Sequence, residues 1–285
     1  MEQNSGLKVH TPLTAKFLYI LASGFSKQNY LGQPLIPFLF RVVTKKYRRS
    51  LSLRLLGISP HYFIYQYSTK YPPTMSRIEI LEAEYQRNVS SRKKICVQIL
   101  QQYLSPQMTV LDFGCGPGYL AQEAAKFCNK VIAVDISCGV IACARELNSL
   151  DNISYYTNDG KSLSMLDDSS IDLIYSFAVV QHLSEELFEG FLREFFRVLK
   201  PRGKVVCHVV LGNNYPTELE GGKGLFFSKF LRKKFGLLMV LRSTKDLNQK
   251  IINTGFKEPT FIPVKQISDI EDTIVKQHLF VFSKP

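Results

Sequence analysis

The chain has 285 residues, 45% of them hydrophobic, and a formal net charge of +12. That is ample apolar content for one large domain, or for one domain with an extension. No uncharged stretch approaches the roughly 20 apolar residues that cross a bilayer, and the six cysteines include neither a C-x-x-C pair nor a zinc-ligand spacing with histidine. Most of those cysteines fall in apolar stretches, as small hydrophobes in a reducing compartment do.

The charge is concentrated at one end. Residues 1–78 carry eleven Lys/Arg against the single acid Glu2, whereas the remainder holds 25 bases and 23 acids. Within this first quarter, Leu13–Phe25 and Leu35–Leu56 read as helices. The second sets Phe38, Val42, Leu51 and Leu55 among Arg41, Lys45, Lys46, Arg48 and Arg49, and the aromatic run Tyr62–Tyr67 follows. Lys16 before the apolar Phe17–Phe25 resembles a secretory leader, but no small-residue cleavage site follows and the texture continues. Three roles fit: a cap packed on the main domain, an interfacial element on anionic lipid through residues 1–56, or a nucleic-acid contact. The last ranks behind the other two, because the strip is too apolar for a purely electrostatic footprint. The expected location is the cytoplasm, with peripheral contact at the inner face of a membrane under the second role.

After Pro72-Pro73 the composition changes, which sets a boundary near residue 75: residues 1–75 form the extension and residues 76–285 the main domain. Ile78–Tyr85 and Ser90–Leu104 read as two helices. An alternation then begins: strand Thr109–Phe113, helix Tyr119–Phe127, strand Lys130–Val134, helix Gly139–Leu147, strand Ile153–Thr157, strand Ile171–Ser176, helix Ser184–Leu199 and strand Lys204–Leu211. Leu187, Phe191, Phe195 and Val198 supply the apolar stripe of the long helix, and Pro201-Arg202-Gly203 should stop it. Thr244–Thr254 should be the last helix, with strands over Gly255–Ile262 and His278–Ser283. This pattern predicts an α/β fold with a doubly wound, mostly parallel, seven-stranded Rossmann-like sheet and an antiparallel last strand. Ligands of such sheets sit beyond the carboxyl ends of the strands.

At the first of those ends stands Asp112-Phe113-Gly114-Cys115-Gly116-Pro117-Gly118. Glycines at every second position allow positive φ and close approach of a ligand to the backbone, and the following helix start favours an anion. The spacing differs from the Gly-x-Gly-x-x-Gly of nicotinamide-binding turns. It resembles the first motif of class I S-adenosylmethionine-dependent methyltransferases. Val131–Asp135, Asn158-Asp159-Gly160 and Phe196–Val206 resemble that family's later segments in order and spacing, so the resemblance covers roughly residues 90–285. It implies S-adenosyl-L-methionine as cofactor and no metal. Asp135 would hold the ribose hydroxyls, Ile136 would pack on the adenine, and Asp159-Gly160 would hold its amine. Gly114, Gly116 and Gly118 would cradle the methionine part, with Asp112 orienting its amine and Phe177 beside it. Taken singly, Asp135 also reads as a helix cap and Asp159 as a turn aspartate.

The segment after the fourth strand, Ser176–Leu183, faces the reacting methyl group in this family. His182 is the one histidine the sequence places there, and it is a candidate general base, with packing as the other reading. An Asn/Asp-Pro-Pro-aromatic motif, a nucleophilic cysteine and a paired-glutamate loop are all missing, so the expected acceptor is a small molecule. The apolar, basic span 212–241, with a second amphipathic helix at Leu225–Phe235, should form a lid suited to a lipophilic acceptor, and O-methylation is favoured. The alternatives are an RNA methyltransferase and a non-catalytic S-adenosylmethionine-binding regulator. Oligomeric state is not encoded in any motif.

Overall fold

The computed structural model describes residues 35–57, 71–72, 74–212, 240–264 and 277–285. The expected helices Leu13–Phe25 and Leu225–Phe235, and the aromatic run 62–67, lie outside them. Helices α1 (Leu35–Val42), α2 (Lys45–Gly57) and α3 (Arg77–Ile95) come first. They are followed by β1 (Thr109–Phe113), α4 (Tyr119–Ala124), β2 (Lys130–Asp135), α5 (Cys138–Leu147), β3 (Ile153–Thr157) and β4 (Ile171–Ser176). Then come α6 (Glu185–Val198), β5 (Leu199–Val210), α7 (Thr244–Asn253), β6 (Thr260–Pro263) and β7 (Gln277–Ser283). The sheet order is β3-β2-β1-β4-β5-β7-β6, with β1 to β5 parallel and β7 antiparallel to both neighbours. The chain runs outward from β1 to β3 and then crosses back to place β4 beside β1, so the order reverses between β1 and β4 and a crevice opens at that switch point.

β1, β2 and β4 are apolar runs because both faces are covered. On one face Phe113 packs against Phe191 and Phe195 of α6, with ring centroids 4.6 and 5.0 Å away. On the other, Val110, Val131, Leu173 and Val206 meet Ile99, Leu100, Leu120 and Ala121. Ser184 caps α6 by accepting from the Leu187 amide at 3.3 Å. Its buried stripe is Phe188, Phe191, Leu192, Phe195 and Val198, so Phe188 takes the place expected for Leu187.

Several sequence expectations are corrected. Leu35–Leu56 is two helices, because the β-branched run Val42-Val43-Thr44 interrupts it. Ile36 and Phe40 of α1, with Leu53 and Leu56 of α2, are buried against Val140, Cys143 and Leu147 of α5 and Leu81 and Tyr85 of α3. Phe38 and Val42 point outward instead. Ile78–Tyr85 and Ser90–Ile95 belong to one helix, α3, since no glycine or proline separates them. It starts at a Ser76/Glu79 capping box, widens into a π-turn over Cys96–Leu100 and closes in a 3-10 turn over Gln101–Tyr103. Helix α4 ends at Ala124 rather than Phe127. β5 begins at Leu199 and carries Pro201-Arg202-Gly203 as an irregularity, with the register slipping between Ile171↔Leu199 and Leu173↔Lys204. β6 starts later than expected, at Thr260.

Candidate functional site

The turn after β1 closes by two bonds: Gly114 and Cys115 amides donate to Val134 O at 2.8 and 2.9 Å. Gly114 (φ 75°) and Gly118 (φ 81°) both require the left-handed region. A Cβ on Gly114 would collide with Val179, and one on Gly118 with the Tyr155 hydroxyl. That hydroxyl donates to Asn148 O at 2.5 Å. The turn is therefore pressed against the segment after β4 on one side and β3 on the other, with no room for side chains. Gly118→Ala combines a strained φ with displacement of Tyr155, and should lower the apparent Tm by about 4 °C or more. Differential scanning fluorimetry reads this directly, and an unchanged Tm would contradict the account.

Two acids flank the turn. Asp135, at the end of β2, accepts from Gly116 N at 3.0 Å through Oδ2 and from Ser137 N at 2.9 Å through Oδ1. Burial raises its carboxyl, and those amide bonds pull it back. Asp112 is 2% exposed, and its Oδ2 makes no hydrogen bond among the described residues. Burial pushes this carboxyl up to about 8; the Asp135 carboxylate adds to the rise, while Tyr175 and Arg92 oppose it.

The Tyr119 and Tyr175 hydroxyls, Gln181 Oε1 and Asn158 Oδ1 are likewise buried without a hydrogen-bond partner among the described residues. All lie at the carboxyl ends of β1, β3 and β4 or just beyond them. A buried unpaired polar group costs about 1–3 kcal/mol, so this concentration marks the place where a polar ligand would complete the bonding. Arg92 of α3 adds a cation that interacts with Asp112 and Tyr119 and bonds only distantly to Ser91 Oγ, at 3.5 Å; burial lowers its pKa. Arg92, Tyr119 and Tyr175 were not singled out in the sequence. Arg92 reads there as part of the solvated run Arg92-Lys93-Lys94, and only the packing of α3 turns it inward.

Asp135, Ile136 and Gly160 come together as expected. Ile136 is 45% exposed beside the turn, and a Cβ on Gly160 (φ 75°) would fall 2.5 Å from Ile136 Cδ1. Asp159 is exposed and acts as a turn aspartate. Its Oδ1 accepts from the Lys161 and Ser162 amides at 2.8 and 2.7 Å, and these bonds hold its carboxyl below the usual range.

The segment after β4 forms the opposite rim. Ala178 takes φ 61°, an unfavourable value for a residue with a Cβ, and Val180–His182 makes one 3-10 turn that leaves His182 exposed. The fully buried Arg242 holds this turn from behind. It donates to Val180 O at 2.9 Å and Leu183 O at 2.7 Å, pairs with Glu185 at 3.0 Å and covers the Phe188 ring. His182 is not the only histidine here. His208 of β5 stacks on Phe177 at 6.0 Å, and its Nε2 lies 2.6 Å from Gln277 Oε1. In sequence, His208 is hidden inside an apolar strand.

The strand order, the glycine turn and the acid ending β2 define a Rossmann-like nucleotide-cofactor domain. A family model described as a methyltransferase domain matches residues 111–207. An uncharacterized methyltransferase of Schizosaccharomyces pombe is 30% identical over 130 residues, 44% of this chain and 48% of that protein. The malonyl-[acyl-carrier protein] O-methyltransferase of Yersinia pestis is 33% identical over 124 residues, 44% of this chain and 43% of that one. The match spans less than half the length of each of these relatives. In fold, the chain is similar to an S-adenosylmethionine-dependent methyltransferase from Mesorhizobium loti (TM-score 0.52, 18% identity, 69% of this chain and 100% of that one). Residues 111–207 therefore match a methyltransferase domain, and the fold is that of class I S-adenosylmethionine-dependent methyltransferases, a family whose cofactor is S-adenosylmethionine. No helix among the described residues is long and apolar enough to cross a membrane.

Proposed function

We propose that this protein transfers the methyl group of S-adenosylmethionine to a small lipophilic acceptor, with oxygen as the favoured nucleophile. The observation that carries the cofactor part is the buried cluster of unpaired polar atoms around Gly114–Gly118. Asp135 would hold the ribose hydroxyls, a bidentate arrangement suited to a carboxylate. Ile136 would cover the adenine face, and Asp159-Gly160 with Asn158 would meet its polar edge. Asp112 would face the methionine ammonium, and Arg92 the carboxylate. When bound, the cofactor supplies a methyl group on a sulfonium that leaves as a neutral thioether. The chain's own work is then positioning.

For a hydroxyl acceptor, a base at the rim accepts its proton. His182 is exposed there, and an imidazole is poised near neutral pH. His182→Ala should lower kcat by about tenfold or more while leaving cofactor affinity within twofold. A loss seen instead in His208→Ala would move the base to the stacked histidine, and unchanged turnover in both would end the base reading. Incubation with methyl-labelled cofactor and separate polar and lipid extracts identifies the acceptor by mass. Label appearing only in polar or macromolecular products would refute the lipophilic acceptor.

A further inference from the structure

The outer surface of α1 and α2 has a composition that the methyl-transfer reading does not use. On α1, Ile36 and Phe40 are buried against the domain, so Phe38 and Val42, two positions away from each, lie on the opposite side. They are 52% and 62% exposed, and Tyr47, at the start of α2, is 58% exposed. These are three of the eight large exposed hydrophobics among the described residues, gathered within ten positions. Scattered singly, such side chains need no explanation; a group does.

Of the six cations on the same two helices, Arg54 donates to Ser50 Oγ at 3.4 Å within α2 and the other five divide into two sets. Arg48 pairs with Glu146 at 3.2 Å and Arg49 with Glu82 at 2.6 Å, and these contacts fasten the helices to α5 and α3. Arg41, Lys45 and Lys46 are exposed and carry no ion pair among the described residues. Residues 35–57 contain no acid at all. The exposed surface of these two helices therefore carries large apolar groups and cations without acids, and the helices are fastened to the domain through Ile36, Phe40, Leu53 and Leu56.

We infer that this face docks on an anionic membrane surface, with Phe38, Val42 and Tyr47 at the headgroup boundary and Arg41, Lys45 and Lys46 over the phosphates. Apolar insertion and cation attraction are the two components of interfacial binding, and these two helices expose groups for both within ten positions. A protein partner would be served by the apolar members, but it offers no general reason for three cations without an ion pair among the described residues or an acid beside them, Lys46 lying 5.7 Å from the Tyr47 ring centroid. Nucleic acid would use the cations and leave the valine without a role.

The test is co-sedimentation of the full chain with vesicles of phosphatidylcholine, with and without roughly one third phosphatidylglycerol. Two triple variants accompany the wild type: Arg41→Ala/Lys45→Ala/Lys46→Ala and Phe38→Ser/Val42→Ser/Tyr47→Ser. All six positions are exposed or outside the cofactor site, so cofactor binding should be unchanged and serves as the check on folding. The expected result is binding to anionic vesicles only, reduced about tenfold or more in each variant. No sedimentation of the wild type, full binding by either variant, or single-stranded RNA binding lost only in the cation variant would each overturn the inference. Because the readout is membrane partition, failure here leaves the methyl-transfer reading untouched.

Discussion

Asp135→Ala should weaken S-adenosylmethionine binding by about a hundredfold or more, with the folded state retained. The carboxylate accepts from Gly116 and Ser137, so it both organises the turn and, in the reading above, holds two ribose hydroxyls. Hydrogen bonds to a charged group contribute about 1.5–3 kcal/mol each, and losing two of them corresponds to at least two orders of magnitude in affinity. Asp135→Asn keeps one acceptor and should fall between. Isothermal titration with S-adenosylmethionine and S-adenosylhomocysteine measures both. Affinity within threefold of wild type in the alanine variant would remove Asp135 from the cofactor site.

The second large effect concerns pH. Asp112 is held protonated near neutrality, since burial raises its carboxyl to about 8. A ligand ammonium facing it favours the carboxylate, so binding must displace the proton, and lower pH opposes this. The dissociation constant should fall about tenfold per pH unit between pH 6 and 7.5, as one proton released per ligand requires. Asp112→Asn should flatten that slope. The free protein should show the opposite trend. Its folded state holds the proton more tightly than the unfolded chain, whose carboxyl titrates near 4. Stability from this group is therefore present at low pH and lost as pH rises towards about 8. Thermal melts of the free protein from pH 5 to 8 should show the decline, and Asp112→Asn should lessen it. A pH-independent dissociation constant in the wild type would show that Asp112 does not meet the ammonium.

The parts of this fold legible in the sequence are those governed by local physics. β1, β3 and β4 coincide with their expected bounds, because strands covered on both faces appear as short apolar runs between turns. The expected start of α6 at Ser184 is one residue early, because Ser184 is its N-cap rather than its first helical residue. The glycines showed the turn because their φ values exclude most other residues. What escaped depends on partners distant in sequence. Arg92 belongs to the site only because α3 lies over Asp112, and His208 only because β5 stands beside the segment after β4. Arg242 looks like one cation among many in a basic stretch, yet it is buried, 1% exposed. The outward turn of Phe38 and Val42 follows from which side of α1 meets α5, and that is fixed by the cluster of Ile36, Phe40, Val140 and Cys143.

Arg242 also bears on the length of chain before it. Gly212 N donates to Arg242 O at 3.0 Å, and Val240 N donates to Gln181 O at 2.7 Å, with Leu211 and Arg242 paired in parallel. The two ends of residues 213–239 are thus joined at a base that is already part of the domain. The entropy of bringing such ends together grows only with the logarithm of the intervening length. Residues can accumulate, vanish or be exchanged between these two anchors without shifting a strand or disturbing Asp112, Asp135 or the glycine turn.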